Sequence, residues 1–430
     1  MPEESEDCLY LNVFAPRDAS PTNKKPVLFW LFGGNLQFGT GSLTFYNGSS
    51  LAATQDIVVV TINYRTNIFG FSNSPEIPFG SQNSGFLDQR FALAWVTKNI
   101  ATFGGDPSKV TLFGESAGGE SVKQILAQPP SPLPFHGAIL ESQASVLTGV
   151  GSLSYAATVA NFRCTTAASP IDCLRKVPAT DIKAFIEAQS LAFTPVNNDG
   201  TSTTDVRPSI ASKKFANVPI LIGHNAQDAA AFLAVAGIDN GTAVLDNVLS
   251  ALHLNESGIV DTILTTYGGD VVDDAYTLAS AVATDALFTC PTASLSAYLT
   301  THSYSVWRYL YSASFPNLQL FKCPKDGCAY HTSEIPLAWG TYPLDSFLGP
   351  ATADEKALSK YMQGVWAGWA KNPKAGPGWP RVGTRLGHEL GNIGSKKAPT
   401  GEHTDYLLST DYPCAIYGPV DDALQLSYKV

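Results

Sequence analysis

The chain has 430 residues, of which 44% are hydrophobic and 15% charged, and its formal net charge is −10. That is a globular composition with material for a large core, and the absence of a basic run or of a Lys/Arg stripe interleaved with aromatics excludes the usual nucleic-acid-binding classes. No apolar stretch approaches the ~18 residues of a membrane span, and the acidic opening MPEESEDC reads as neither a secretory signal nor a transit peptide.

The first third alternates between strand and helix patterns. Leu9–Phe14 reads as a strand, and Val27–Phe32 as a second, followed by a glycine-rich turn. Ile57–Tyr64 is a β-branched run of the buried kind, and Leu87–Ile100 has helical spacing. Val110–Phe113 predicts a strand, Ser121–Ala127 a helix and Ala138–Glu141 another short strand. Such alternation predicts an α/β architecture with a mainly parallel sheet covered by helices. The pattern is irregular from Ser145 to Val218. It resumes with a strand at Pro219–Gly223, a helix start at Ala229–Ala236 and alanine-rich helical segments through Val244–Ala297. Tyr304–Ala313 predicts a strand, Asp354–Lys371 a helix and His403–Ser409 a last strand. With no repeat and no low-complexity linker, residues 1–430 read as one domain with helical insertions.

Seven cysteines occur, Cys8, Cys164, Cys173, Cys290, Cys323, Cys328 and Cys414, and none forms a CxxC pair of the zinc-ribbon or thioredoxin kind. The odd number leaves at least one thiol unpaired within the chain. Sequons at Asn47, Asn240 and Asn255 lean towards a secretory history, whereas the acidic opening leans away from it. The compartment therefore stays open.

The segment Gly114–Gly118, GESAG, follows the strand pattern Val110–Phe113 and precedes a helix. A serine on a sharp strand-to-helix turn exposes its hydroxyl, and flanking glycines let the two elements approach closely. Ser116 is therefore a candidate nucleophile. It then needs a base, an acid to orient that base and donors for an oxyanion. Chain order alone admits any of the histidines that follow the acid.

The stretches SEDCLYLNVFAP (Ser5–Pro16), SGFLDQRFALAWVTKNIATFGGDPSKVTLFGESAGG (Ser84–Gly119) and AYHTSEIPLAWGTY (Ala329–Tyr342) make the choice narrower. They resemble the type-B carboxylesterase/lipase family, which includes cholinesterases and fungal lipases. The resemblance implies an α/β-hydrolase fold with a twisted, mostly parallel sheet. It picks His331 as the base, and Asp228, where relatives usually carry Glu, as the acid. Glu334 and Glu115 are then structural carboxylates. The backbones of Gly34, Asn35 and Ala117 become the oxyanion donors. Asn35 stands where the family has the third glycine of a GGG run; a positive φ would suit it. Its carboxamide is expected to narrow the acyl pocket or to bond to nearby loop backbone.

The resemblance further implies an ion pair between Arg65 and Asp88 and a disulfide between Cys164 and Cys173. Cys8 matches a cysteine whose usual partner lies in an upstream family segment that this chain lacks. A free thiol and a bare sheet edge near Leu9–Phe14 are expected in consequence. The implied function is a serine ester hydrolase that acts on apolar carboxylic esters through Ser116, His331 and Asp228 and an acyl-enzyme. The expected partner is a small-molecule ester, with no metal and no cofactor. Two alternatives stay open: a non-catalytic or impaired binding protein on the same fold, and a lactonase, thioesterase or amidase using the same triad.

Overall fold

The computed structural model describes residues 4–143, 150–238, 244–252, 254–255, 257–268, 274–321, 323, 327–342 and 349–417. The sequon at Asn240 and the histidine at position 253 lie outside them. The strands are β1 (Leu11–Phe14), β2 (Lys25–Leu31), β3 (Val58–Ile62), β4 (Gly105–Glu115), β5 (Gly137–Glu141), β6 (Ile220–Asn225), β7 (Val306–Tyr311), β8 (His388–Ile393) and β9 (Glu402–Tyr406). They form one sheet in the order β1-β3-β2-β4-β5-β6-β7-β8-β9. β1 pairs antiparallel with β3, and β9 antiparallel with β8. The strands between pair in parallel. This is an α/β-hydrolase fold.

The central strands are apolar on both faces, as a sheet covered on both sides requires. In β2, Leu28 and Trp30 enter the core that holds Phe113, Trp339, Trp366 and Trp369. Val27, Phe29 and Leu31 enter the opposite core with Val60, Leu112 and Ile125. Alternate residues of one strand thus serve two layers. The helix Ala353–Lys371 closes the first layer. Thr352 and Glu355 form a reciprocal capping box at its start: the Thr352 hydroxyl accepts from Glu355 N–H at 3.1 Å, and Thr352 N–H donates to the Glu355 carboxylate at 3.2 Å. Burying each of its large side chains stabilises the fold by roughly 1.5–3 kcal/mol.

A third core joins the helical insertion to the C-terminal segment. It contains Ala229, Leu233, Val248, Ile263, Tyr276 and Tyr417. Three disulfides are present. Cys164–Cys173 is the pair implied by the resemblance. Cys323–Cys328 closes a short loop, and Cys290–Cys414 ties residues 124 apart. A loop of that length contributes roughly 4–5 kcal/mol in the chain-entropy account. Cys8 is unpaired. Arg65 and Asp88 form a bidentate pair at 2.8 Å, with Asp88 buried and Arg65 half-exposed.

The segment 145–218, irregular in sequence, contains the helices Gly151–Asn161, Pro170–Leu174, Ala179–Ala188 and Arg207–Ala211. β8 is also absent from the sequence reading. HELGNI has only Leu390 and Ile393 as large apolar residues; the strand forms because Arg308–Tyr311 of β7 offers it a ladder. The last strand ends at Tyr406, and a short helix Leu408–Asp411 follows.

β1 is an edge strand, half-exposed along its length, and Leu9 and Tyr10 before it are exposed. Paired on one side only, its amides should exchange with deuterium at least ~10-fold faster than those of β2 and β4. Equal protection across the three strands, measured by hydrogen exchange, would contradict this.

Candidate active site

β4 ends at Glu115 and a helix begins at Ala117. Ser116 alone makes the turn, with φ 57° and ψ −124°. A non-glycine residue held there costs roughly 1–3 kcal/mol. The turn is fixed by its own peptide groups: Ser116 N–H donates to Glu141 O of β5 at 2.9 Å, and Ser116 O accepts from Glu120 N–H at 2.9 Å. Close approach explains the small residue two positions on. A Cβ at Gly118 would stand 1.9 Å from the Leu31 carbonyl oxygen. Ser116 is partly exposed, while the residues on both sides of it are buried.

His331 lies on an irregular segment between β7 and the helix Ile335–Trp339. Its Nδ1 donates to Asp228 Oδ1 at 2.8 Å. The other Asp228 oxygen accepts from Ser142 Oγ at 2.9 Å and from Asn225 N–H at 2.8 Å. Asp228 is fully buried, three residues beyond β6. On the far side of the ring, Nε2 is 3.0 Å from Glu115 Oε1. That contact lies off the hydrogen-bond direction, since neither atom has a hydrogen-bond partner; we read it as a charge contact. Burial alone would lower the His331 pKa. The charge of Glu115 and the hydrogen bond to Asp228 outweigh burial and raise it well above its ordinary value. The rings of Phe232 and Phe288 pack on the imidazole at 4.8 and 5.2 Å between centroids.

The loop after β2 passes beside the serine. A Cβ at Gly33 would lie 2.9 Å from Ser116 Cβ and 2.8 Å from Glu115 Oε2. Gly34, Asn35 and Leu36 then run through positive φ, at 105°, 53° and 58°. Gly34 O turns into the loop and accepts from Gln37 N–H at 2.9 Å and Phe38 N–H at 3.3 Å. In a trans peptide the next N–H points the opposite way, so Asn35 N–H faces out of the loop. Among the described residues neither Gly34 N–H nor Asn35 N–H has a partner. Ala117 N–H is at the first helical position, where no intrahelical acceptor exists. Asn67 braces the loop: its N–H donates to Leu36 O at 2.7 Å and its side chain to Gln37 O at 3.1 Å. The Asn35 side chain is exposed, and among the described residues it makes no hydrogen bond to loop backbone.

Two further carboxylates are buried nearby. Glu334 is pushed up to about 8 by burial first and then by the charges of Glu115 and Asp228. Glu141 is raised well above its ordinary value by burial and by Glu334. Asn225 Nδ2 donates to Glu334, and Trp366 Nε1 to Glu141. Among the described residues no group of three or more His, Cys, Asp or Glu side chains is arranged to hold a metal ion. No described helix is long and apolar enough to cross a membrane. An open apolar groove of about 520 Å³ lies against Tyr361, Gly364 and Gly368, and none of the residues above lines it.

Ser142, Asn225, Asn67 and Phe288 escaped the sequence reading. Asn225 had a signal, three residues before a candidate acid. The others are recognisable only once β5, the loop after β3 and the insertion are brought together.

Comparison with known proteins agrees with this architecture. The model of the carboxylesterase family matches residues 1–405. The chain is 32% identical over 396 residues to a para-nitrobenzyl esterase of Bacillus subtilis (strain 168), covering 88% of this chain and 78% of that protein. It is 31% identical over 421 residues to carboxylesterase 1F of Mus musculus, covering 90% and 74%. It is 32% identical over 388 residues to a cocaine esterase of Oryctolagus cuniculus, covering 86% and 71%.

Glu334 titrates near 4.5 when exposed and at about 8 in the fold. The folded state then keeps a proton that the unfolded state loses. Stability from this group is full below about 4.5 and declines as pH rises towards about 8. The melting temperature should fall across that window, and Glu334→Gln should flatten the fall. An unchanged slope in the variant would mean that the carboxyl is not protonated in the fold.

Proposed function

The chain belongs to the carboxylesterase family, whose members are serine hydrolases in general, and from that premise we propose that it is a carboxylic ester hydrolase of the type-B kind. Ser116 Oγ attacks the ester carbonyl while His331 Nε2 takes its proton. Asp228 holds the ring and stabilises the imidazolium. The oxyanion accepts from the N–H groups of Gly34, Asn35 and Ala117; one such donor typically contributes about 10²–10³ in rate. The imidazolium then protonates the departing alkoxide. Water repeats the sequence on the acyl-enzyme, releasing acid and free serine. The substrate is an apolar carboxylic ester, in keeping with the half-exposed Phe232 beside the imidazole and with the esterases among the relatives.

One observation carries the reading. A partly exposed serine in a strained turn is adjacent in sequence to Glu115, whose carboxylate touches a histidine already tied to a buried aspartate. A second reading, an impaired binding protein on the same fold, is favoured by the same contact. With Nε2 against Glu115 the ring is held as a cation, and a cation accepts no proton. Substrate binding has to be accompanied by loss of that proton and by a turn of Nε2 towards Ser116; contacts of this kind commonly tighten only in the complex.

Labelling by a fluorophosphonate separates the two readings. The wild type should be labelled and should hydrolyse a chain-length series of p-nitrophenyl esters. Ser116→Ala should lose labelling and about 10³–10⁶ in kcat. A wild type that is neither labelled nor active would establish the binding-protein reading.

The base form of His331 is needed, so activity should rise with pH through a midpoint above the ordinary histidine value. Glu115→Gln removes a negative neighbour and lowers the imidazole pKa, so its midpoint should move to lower pH. A rate profile with an unmoved midpoint would remove Glu115 from the account.

A further inference from the structure

His331 has no strand or helix under it. The four residues from Asn225 to Asp228 run alongside Ala329, Tyr330 and His331 and hold them by hydrogen bonds. Gln227 N–H donates to Ala329 O at 3.0 Å, and Ala329 N–H donates to Gln227 Oε1 at 2.9 Å. Asn225 Nδ2 donates to Tyr330 O at 2.8 Å. His331 N–H donates to Asp228 O at 3.2 Å. Gln227 grips Ala329 from both sides, once with its backbone and once with its side chain. Ala329 is 1% exposed, so its N–H has no water to turn to.

Given the roles assigned above to Asp228 and His331, on which this rests, we propose that Gln227 is a positioning residue whose side-chain carbonyl sets the register of the imidazole against the Asp228 carboxylate. The carboxylate itself is fixed in place by two hydrogen bonds, its second oxygen accepting from Ser142 and Asn225. The ring must therefore be brought to it. The backbone two residues before the ring is fixed by an amide directly preceding the acid in sequence. One peptide unit, 227–228, thus carries both the acid and the clamp on the base. A neutral amide suits the position. Gln227 offers an acceptor to Ala329 without adding a further negative charge beside Asp228, Glu115 and Glu334.

The test uses two near-isosteric variants. Gln227→Met removes the acceptor and leaves the buried Ala329 N–H unpaired. Gln227→Glu keeps an acceptor in place and adds charge. Gln227→Met should lower kcat for a p-nitrophenyl ester about 10–100-fold, the scale of a misplaced catalytic group, with KM within about twofold. Its rate midpoint should move to lower pH as the Asp228 contact loosens. Gln227→Glu should recover most of kcat, with the midpoint moved to higher pH. A merely structural residue would lower melting temperature and activity in both variants alike and leave both midpoints in place; that result overturns the proposal. So does a Gln227→Met enzyme with wild-type kcat and midpoint, provided Ser116→Ala is inactive. If Ser116→Ala is as active as the wild type, the triad reading fails first and this inference falls with it.

Discussion

Ser116 holds φ 57° and ψ −124°, a conformation that serine keeps only where its surroundings exclude the alternatives. They do so here in three ways. β5 takes the serine N–H, the helix beyond takes its carbonyl, and Leu31 of β2 leaves no room for a side chain at Gly118. The outcome is a hydroxyl standing out of a buried strand end, with the loop after β2 pressed against its Cβ. The positive-φ run of Gly34, Asn35 and Leu36 is the second half of the same arrangement. Two strained segments face each other, and each is braced by parts of the chain remote in sequence. The strain is offset by the mass of the doubly covered sheet beneath them.

Charge in this corner is managed by protonation as much as by pairing. Four carboxyl groups, Glu115, Glu141, Asp228 and Glu334, are each 1% exposed or less, and a fully ionised set would be untenable in so dry a place. Glu141 and Glu334 hold their protons more tightly than exposed carboxyls do. His331 is drawn towards its cationic form by the other two. The imidazole therefore serves as counter-ion in the resting state.

Much of this could be read from the residues. The β-branched runs at Ile57–Tyr64 and Val110–Phe113 located central strands to within a few residues, because a strand buried on both faces has to be apolar throughout. GESAG between a strand and a helix fixed the elbow, and positive φ at Asn35 followed from what asparagine tolerates. Other features were not legible. β8 has too few apolar residues to show a period and exists because β7 offers it an edge. Residues 151–211 form short helices, several opened by proline or by a capping serine, whose apolar positions never extend far enough to establish a repeat. The contact of Glu115 with His331 joins positions 216 residues apart, and no local pattern carries such information. At Asn35 the positive φ was foreseeable, whereas the surroundings of its exposed side chain depend on loops the sequence does not place.

The bond between Cys290 and Cys414 encloses β7, His331, the helix Ala353–Lys371, β8 and β9 within one covalent ring. A backbone cut anywhere inside that ring would leave the two pieces joined as a single molecule. In the intact ring His331 is joined to Cys290, and through it to the rest of the chain, by two routes; the cut removes one and leaves the other. For a polymer exposed to proteases, a nick in the segment carrying His331 would not release a fragment.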